Sequence, residues 1–244
     1  MIILGFVLIV IISMMILAIR FGPQGERMGR TVVISVTKIM NKLQRRIIDI
    51  SYKYKLSHIS SCISTVDTID QIYGIRKKDE PFVLSNGHAA LALYVVLEKY
   101  EKQDAEKLWK KHGTHPNRDM DSGIWCSSGS LGHGIGIAVG MALADKTKNV
   151  YVTISDGECA EGSVWEALAI ARKFQIENLR IALIANGFSA YDEVDIKDLD
   201  VRINAFYPTM MIKTNMFAYP ESLQGLAGHY TVLDKKTYET CIQG

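Results

Sequence analysis

The stretch Val150–Gly187, VYVTISDGECAEGSVWEALAIARKFQIENLRIALIANG, decides the fold. Two short apolar runs, Val150–Ile154 (VYVTI) and Ile181–Ala185 (IALIA), have the length and β-branched content of buried strands. Between them Ser163–Phe174 (SVWEALAIARKF) has the pattern of a helix. Strand, helix and strand in this order make a βαβ unit, so the two strands are expected to lie parallel. The fold class that follows is α/β: a three-layer α/β/α domain with a mostly parallel sheet. Such sheets bind ligands at the carboxyl ends of their strands, at a switch in strand order.

The first strand ends in Ser155-Asp156-Gly157-Glu158 and the second in Asn186-Gly187-Phe188. Adjacent strands put the Asp156 carboxylate and the Asn186 amide oxygen side by side at one sheet edge. Two hard oxygens there, completed by water and diphosphate oxygens, suit octahedral Mg²⁺, which takes only one or two protein ligands. Gly157 and Gly162 let the backbone come close to a phosphate. The helix that follows offers free N–H groups to an anion. Asp-Gly and Asn-Gly are also common turn dipeptides. Their placement at the ends of two consecutive parallel strands favours the ligand reading over plain surface turns.

Working outward, the rest of the 244 residues is ordinary for a globular protein, with 48% hydrophobic and 22% charged residues. A formal charge of +2 gives no electrostatic case for a nucleic-acid partner. Cys62, Cys126, Cys159 and Cys241 form no CxxC pair, which argues against zinc and disulfides and for a reducing compartment. Thr31–Tyr54 carries apolar residues at helical spacing (Ile39, Leu43, Ile47, Ile50) and reads as a helix.

The amino terminus stands apart. Residues 1–19 carry no charge and are diluted only by Gly5 and Ser13. As a helix they reach about 28 Å, close to the ~30 Å of a bilayer core. Arg20, Arg27, Arg30, Lys38 and Lys42 follow, and the positive-inside rule puts the body of the protein in the cytoplasm. The expected organisation is a transmembrane anchor over 1–20, a Gly/Pro linker over 21–30 and a ligand-binding domain over 31–244. Two alternatives stay open: a start at Met28 or Met40, and a cleaved signal peptide, which fits less well without a basic leading region.

Here a family resemblance becomes specific. Thiamine-diphosphate enzymes carry a GDG motif followed by Asn about 30 residues later, and Asp156 and Asn186 stand 30 positions apart. Residues 155–187 resemble the transketolase version, with its EG-x-x-WEA continuation at Glu161–Ala167. Ser155 stands where the family has the first glycine. Four further segments resemble transketolase motifs in family order. Ser57-His58-Ile59-Ser60-Ser61 is similar to GHPGG, and Leu84-Ser85-Asn86-Gly87-His88-Ala89 to LSxGHA. Thr114-His115-Pro116 is similar to GHP, and Gly129-Ser130-Leu131-Gly132-His133-Gly134 to TGxLGQG. His229-Tyr230 resembles a fifth, the WHYR segment.

The resemblance implies a thiamine-diphosphate-binding fold. It implies Mg²⁺ held by the side chains of Asp156 and Asn186 and by the carbonyl of Phe188. It assigns the cofactor to His88, Gly129, Ser130, Leu131, Ser155, Asp156, Gly157, Glu158 and Asn186. It gives catalytic roles to His58, His88, His115, Glu161 and His229, the histidines handling sugar oxygens near neutral pH. Lone His112 is read as an ordinary hydrogen-bonding residue.

The family's activating glutamate belongs to a second, pyrimidine-binding domain that these residues do not contain. The expectation is therefore a split transketolase-like enzyme, a heterotetramer with a pyrimidine-binding C-terminal subunit, moving a two-carbon ketol unit between sugars. Two other readings stand beside it. One is a related subunit of 1-deoxyxylulose-5-phosphate synthase or 2-oxo-acid dehydrogenase type; the other is an inactive, membrane-tethered homologue.

Overall fold

The computed structural model describes residues 31–34, 40–214 and 219–243. The apolar segment 1–19 and the linker 21–30 lie outside them. Among the described residues no helix is long and apolar enough to cross a membrane.

Five strands form the sheet among these residues: β1 (Thr31–Ile34), β2 (Phe82–Leu84), β3 (Val150–Ser155), β4 (Leu179–Ala185) and β5 (Met210–Thr214). Their order is β1-β5-β4-β3-β2, and every pairing is parallel. The predicted βαβ unit is present, with α6 (Gly162–Lys173) joining β3 and β4 and Ser155 paired with Ile184 at their carboxyl ends.

Thr31–Ile34 departs from expectation: this stretch is a parallel edge strand on β5, not the start of a helix. Its TVVI sequence is β-branched throughout and suits the pleated edge better than a helical turn. The helix α1 begins at Lys42 and runs to Tyr54, where the Asn41–Gln44 capping box sets its start.

Helices cover both faces. From β1 the chain crosses to the far edge at β2, then returns strand by strand through β3, β4 and β5. Right-handed crossovers in the two directions must put their helices on opposite faces. The outward run carries α1 and α2 (Ile59–Ile75), which α3 (Ala90–Glu101) joins in one core. The return run carries α5 (His133–Ala144), α6 and α7 (Ile196–Phe206) in the other. Strand residues alternate between the two. Tyr151, Ala182 and Ile184 face the first core, while Val152, Ile154, Ile181 and Leu183 face the second. Three layers follow directly from this period of two.

The remaining helices are α4 (Ala105–His112), α8 (Gly225–Tyr230) and α9 (Lys235–Gln243). Strands β3 and β4 are neighbours in chain order as well as in space. The site at their ends therefore does not lie at a switch in strand order, contrary to expectation.

Candidate functional site

A cavity of about 180 Å³ opens at the carboxyl ends of β3 and β4. Asp156 follows the last residue of β3 and is only 3% exposed. Its Oδ2 accepts from Gly187 N at 2.7 Å and its Oδ1 from Gly157 N at 3.0 Å. Burial pushes this carboxyl up to about 6, against the pull of those backbone donors. Asn186 follows β4 in the same way, and its Oδ1 accepts from Phe188 N at 3.0 Å. Asp156, Asn186 and Phe188 all line the cavity.

Gly157 lines the cavity as well, and a Cβ there meets Ser189 Cα at 2.9 Å, so glycine at this position also admits the loop after β4. A Cβ at Gly162 meets nothing within 4 Å, so no neighbour among the described residues demands glycine there. The donors of the turn ahead of α6 are occupied, whereas the first turn of α6 itself has no side-chain cap. The amides of Gly157, Glu158 and Cys159 are taken by Asp156 Oδ1, Ser155 Oγ and Asp156 O respectively.

The opposite wall is built from histidines. His58 caps α2 in the left-handed region (φ 62°), and its N–H donates to His229 O at 3.0 Å. Ser57 Oγ lies 2.8 Å from His58 Nδ1 and fixes that ring. Ring centroids of His58 and His229 are 4.5 Å apart, of His88 and His229 5.5 Å, and of His58 and His88 5.8 Å. His115 reaches the same cavity beside Gly129. A Cβ on Gly129, whose φ is +140°, meets His115 Cγ at 2.9 Å, so both space and backbone call for glycine.

Desolvation, reinforced by the neighbouring imidazoles, lowers His58 to about 4 and His88 to about 3, and burial lowers His229 as well. These three rings are therefore neutral at pH 7, each with one donor and one acceptor nitrogen. The expectation that His58 and His88 titrate near neutrality does not hold, because burial outweighs the ordinary value.

Not every expected residue reaches the cavity. Leu131, Gly129 and Ser155 line it, but Ser130 stays outside it. Glu161 precedes α6 on the surface and makes no side-chain capping bond. Glu158 is fully buried and turned away: its Oε1 accepts from Gly132 N and Ser85 Oγ. His112 bonds Asp119 at 3.0 Å, in keeping with its ordinary reading. All four cysteines are buried and free.

Among the lining residues to which the sequence reading gave no role are Ser61 and Asn86, inside matched motifs, and Ser64, Thr65, Ser189 and Ala190, outside them. Ser61, Ser64 and Thr65 share one face of α2, at helical spacing after His58. That spacing of hydroxyls after a matched histidine is the sequence signal that points to them. Asn86 is held between Thr65 Oγ1 and Thr153 Oγ1.

A family model described as "Transketolase, thiamine diphosphate binding domain" matches residues 75–208, more than half of the chain. The chain belongs to the transketolase family. It is 32% identical over 163 residues to a relative from Phocaeicola vulgatus that is named as one lettered subunit of an apulose-4-phosphate transketolase. That overlap covers 59% of this chain and 57% of the relative. The chain is also 32% identical over 161 residues to human transketolase, covering 57% of this chain but 26% of that protein. It thus spans about half the length of the bacterial relative and a quarter of the human one. Among solved structures, Campylobacter jejuni transketolase superposes with a TM-score of 0.66 at 19% identity, covering 82% of this chain and 41% of that one. At that identity the likeness speaks for the fold alone. The matched span 75–208 holds the β3–β4 ends and His88 and His115. His58 and His229 lie outside it and join the site through the fold.

Proposed function

We propose that this chain is the thiamine-diphosphate- and Mg²⁺-binding half of a two-chain transketolase, which transfers a two-carbon ketol unit between sugars or sugar phosphates. One observation carries the reading: a single cavity holds Asp156, Asn186 and Phe188 on one wall and His58, His88, His115 and His229 on the other.

The donor chemistry fits the cation. A carboxylate, an amide oxygen and a main-chain carbonyl are all hard oxygens, the set Mg²⁺ prefers while leaving positions for diphosphate. Asp156 also fits on energetic grounds. Its buried carboxylate has only backbone N–H partners, and a bound cation stabilises the ionised form that burial opposes. Asp156 and Asn186, with the carbonyl of Phe188, would hold the metal. Gly129, Leu131, Ser155 and His88 would surround the diphosphate and thiazolium parts of the cofactor.

When bound, thiamine diphosphate supplies the carbanion chemistry that ketol transfer needs. The chain's own contribution is to bind, orient and move protons. Neutral His58, His88 and His229 can each donate to a sugar hydroxyl and accept from a neighbouring one. His115 sits on the same wall, where it can reach a ketol hydroxyl. The hydroxyls of Ser61, Ser64 and Thr65 add polar contacts for a polyol. Exposed Glu161, at the start of α6, is free to face a second chain.

The partner in this reading is a pyrimidine-binding subunit that brings the activating glutamate and closes the cavity in a heterotetramer. Two bacterial relatives are each named as one subunit of a transketolase, which supports a divided enzyme. The test is calorimetry of thiamine diphosphate on the full chain, with Mg²⁺ and then with chelator, alone and with a candidate partner. Ketol transfer is then assayed on the pair. Mg²⁺-dependent binding that Asp156→Ala removes supports the reading; binding indifferent to metal and to Asp156 sinks it.

A further inference from the structure

Ser155 and Glu158 flank Asp156 and bond each other in both directions. Ser155 Oγ accepts from Glu158 N at 3.1 Å, and Glu158 Oε2 accepts from Ser155 N at 3.3 Å. This is the reciprocal pattern of a helix capping box, S-x-x-E, set on the 3₁₀ turn Gly157–Ala160. Glu158 does more with its other oxygen. Oε1 accepts from Gly132 N at 2.6 Å and from Ser85 Oγ at 2.5 Å, and Ser85 Oγ in turn accepts from Ile135 N at 3.1 Å.

One carboxylate with no exposed surface therefore ties three segments together. They are the strand end before Asp156, the turn leading into His88, and the loop that carries Gly129 and Leu131. A buried carboxylate is costly unless its lone pairs are filled, and here three donors fill them. No part of Glu158 faces the cavity, so its role is to hold other groups rather than to touch a ligand.

We propose that Ser155 and Glu158 form a positioning pair that fixes the Asp156 turn in register with the His88 and Leu131 segments. In this chain the serine at the family's glycine position is half of that pair. The pair's meaning for cofactor binding rests on the thiamine-diphosphate reading above; the coupling itself does not.

The test uses the full chain with Ser155→Gly, Ser155→Thr, Glu158→Gln and the Ser155→Gly/Glu158→Gln double variant. Amide hydrogen exchange at Ser155 and Gly132 is read without ligand. Mg²⁺-dependent thiamine-diphosphate affinity is read by calorimetry. Groups that support metal ligands typically carry about 10–100-fold in affinity, and Glu158→Gln is expected to lose affinity within that range. Ser155→Gly loses less, Ser155→Thr keeps the hydroxyl and with it the wild-type exchange at Gly132, and the double variant is no worse than Glu158→Gln alone.

Exchange at Ser155 and Gly132 accelerates together in Glu158→Gln, although these amides lie on separate segments. Losses that multiply in the double variant, or protection unchanged in Glu158→Gln, overturn the pair. If Glu158→Gln does not fold, Ser155→Gly against Ser155→Thr decides: equal exchange at Gly132 in both, read without ligand, overturns it. A wild-type chain that binds no cofactor, alone or with a candidate partner, sinks the functional reading. In that case joint loss of protection still supports the coupling and unchanged protection still refutes it.

Discussion

The two walls of the cavity are built in opposite ways. The Asp156–Asn186 wall comes from neighbouring strands joined in one continuous parallel ladder, and its acid is pinned by two backbone amides. The histidine wall comes from four separate segments around residues 58, 88, 115 and 229. The backbone bond from His58 N to His229 O ties two of those segments directly. The first wall is rigid by secondary structure. The second depends on how well distant elements dock. A metal site needs the first kind of precision. A proton-handling wall tolerates the second, because its groups tighten on substrate.

The largest expected break in that contrast is Asp156→Ala. Supporting groups around a metal are worth about 10–100-fold, so loss of a ligand is expected to exceed about 100-fold in Mg²⁺-dependent cofactor binding. The fold should survive, because the change also removes a buried carboxylate that desolvation opposes. Calorimetry beside thermal melting separates the two. Binding retained in a folded Asp156→Ala protein would mean that the strand-end wall is not the metal wall.

His88→Asn tests the other wall, with a smaller effect on binding and a larger one on turnover. A positioned acid–base group contributes about 10²–10⁴-fold, so turnover by the assembled enzyme should fall within that range. Metal-dependent binding should change far less than in Asp156→Ala. Equal losses in both variants would show that the two walls act as one unit.

What the sequence makes legible follows the same division. β3, α6 and β4 can be read because an apolar run, a 3.6-residue period and a second apolar run lie next to one another. The strand ends follow from them, so Asp156 and Asn186 are placed by sequence alone. Thr31–Ile34 is harder, because helical spacing downstream of it invites a helix that runs back across TVVI. Motif alone assigns Glu158 and Ser130 to the cofactor, and a motif does not say which way a side chain turns. Glu158 turns inward because Gly132 N and Ser85 Oγ, distant in sequence, converge on it. The hydroxyls of Ser61, Ser64 and Thr65 gain meaning only where α2 borders the cavity, and that docking is set by residues far along the chain.

A pH series sharpens the comparison further. His58 and His88 are lowered to about 4 and about 3 from an ordinary value near 6.5. The unfolded chain therefore takes up protons below about 6.5 that the folded chain refuses. Stability is fully present above that pH and falls as the pH drops through the window toward 4 and 3. Asp156 and Asp67, both pushed up to about 6 by burial, act in the other direction, since the folded form takes its proton first. Replacing His88 by Asn isolates the histidine contribution. The acid limb of the melting profile should flatten between pH 6.5 and 3 while the values above pH 7 move little. An unchanged acid limb would mean that His88 is hydrated in solution and not desolvated.

The smallest expected effect concerns how α8 is fastened. Beyond the backbone bond to His58, this six-residue helix is tied to the loop after β4, where Tyr230 Oη donates to Ala190 O at 3.1 Å. Tyr230 is 61% exposed, so water competes for that hydroxyl and the net value of the bond is no more than about 1 kcal/mol. Tyr230→Phe should shift the melting midpoint by a degree or two, since a protein of this size moves about 2–4 °C per kcal/mol. Amide exchange should rise in α8 and at Ser189–Ala190 and stay constant at Gly187, whose N–H is held by Asp156. If Gly187 loosens as well, α8 is braced against the strand-end wall, and the two walls are less independent than their construction implies.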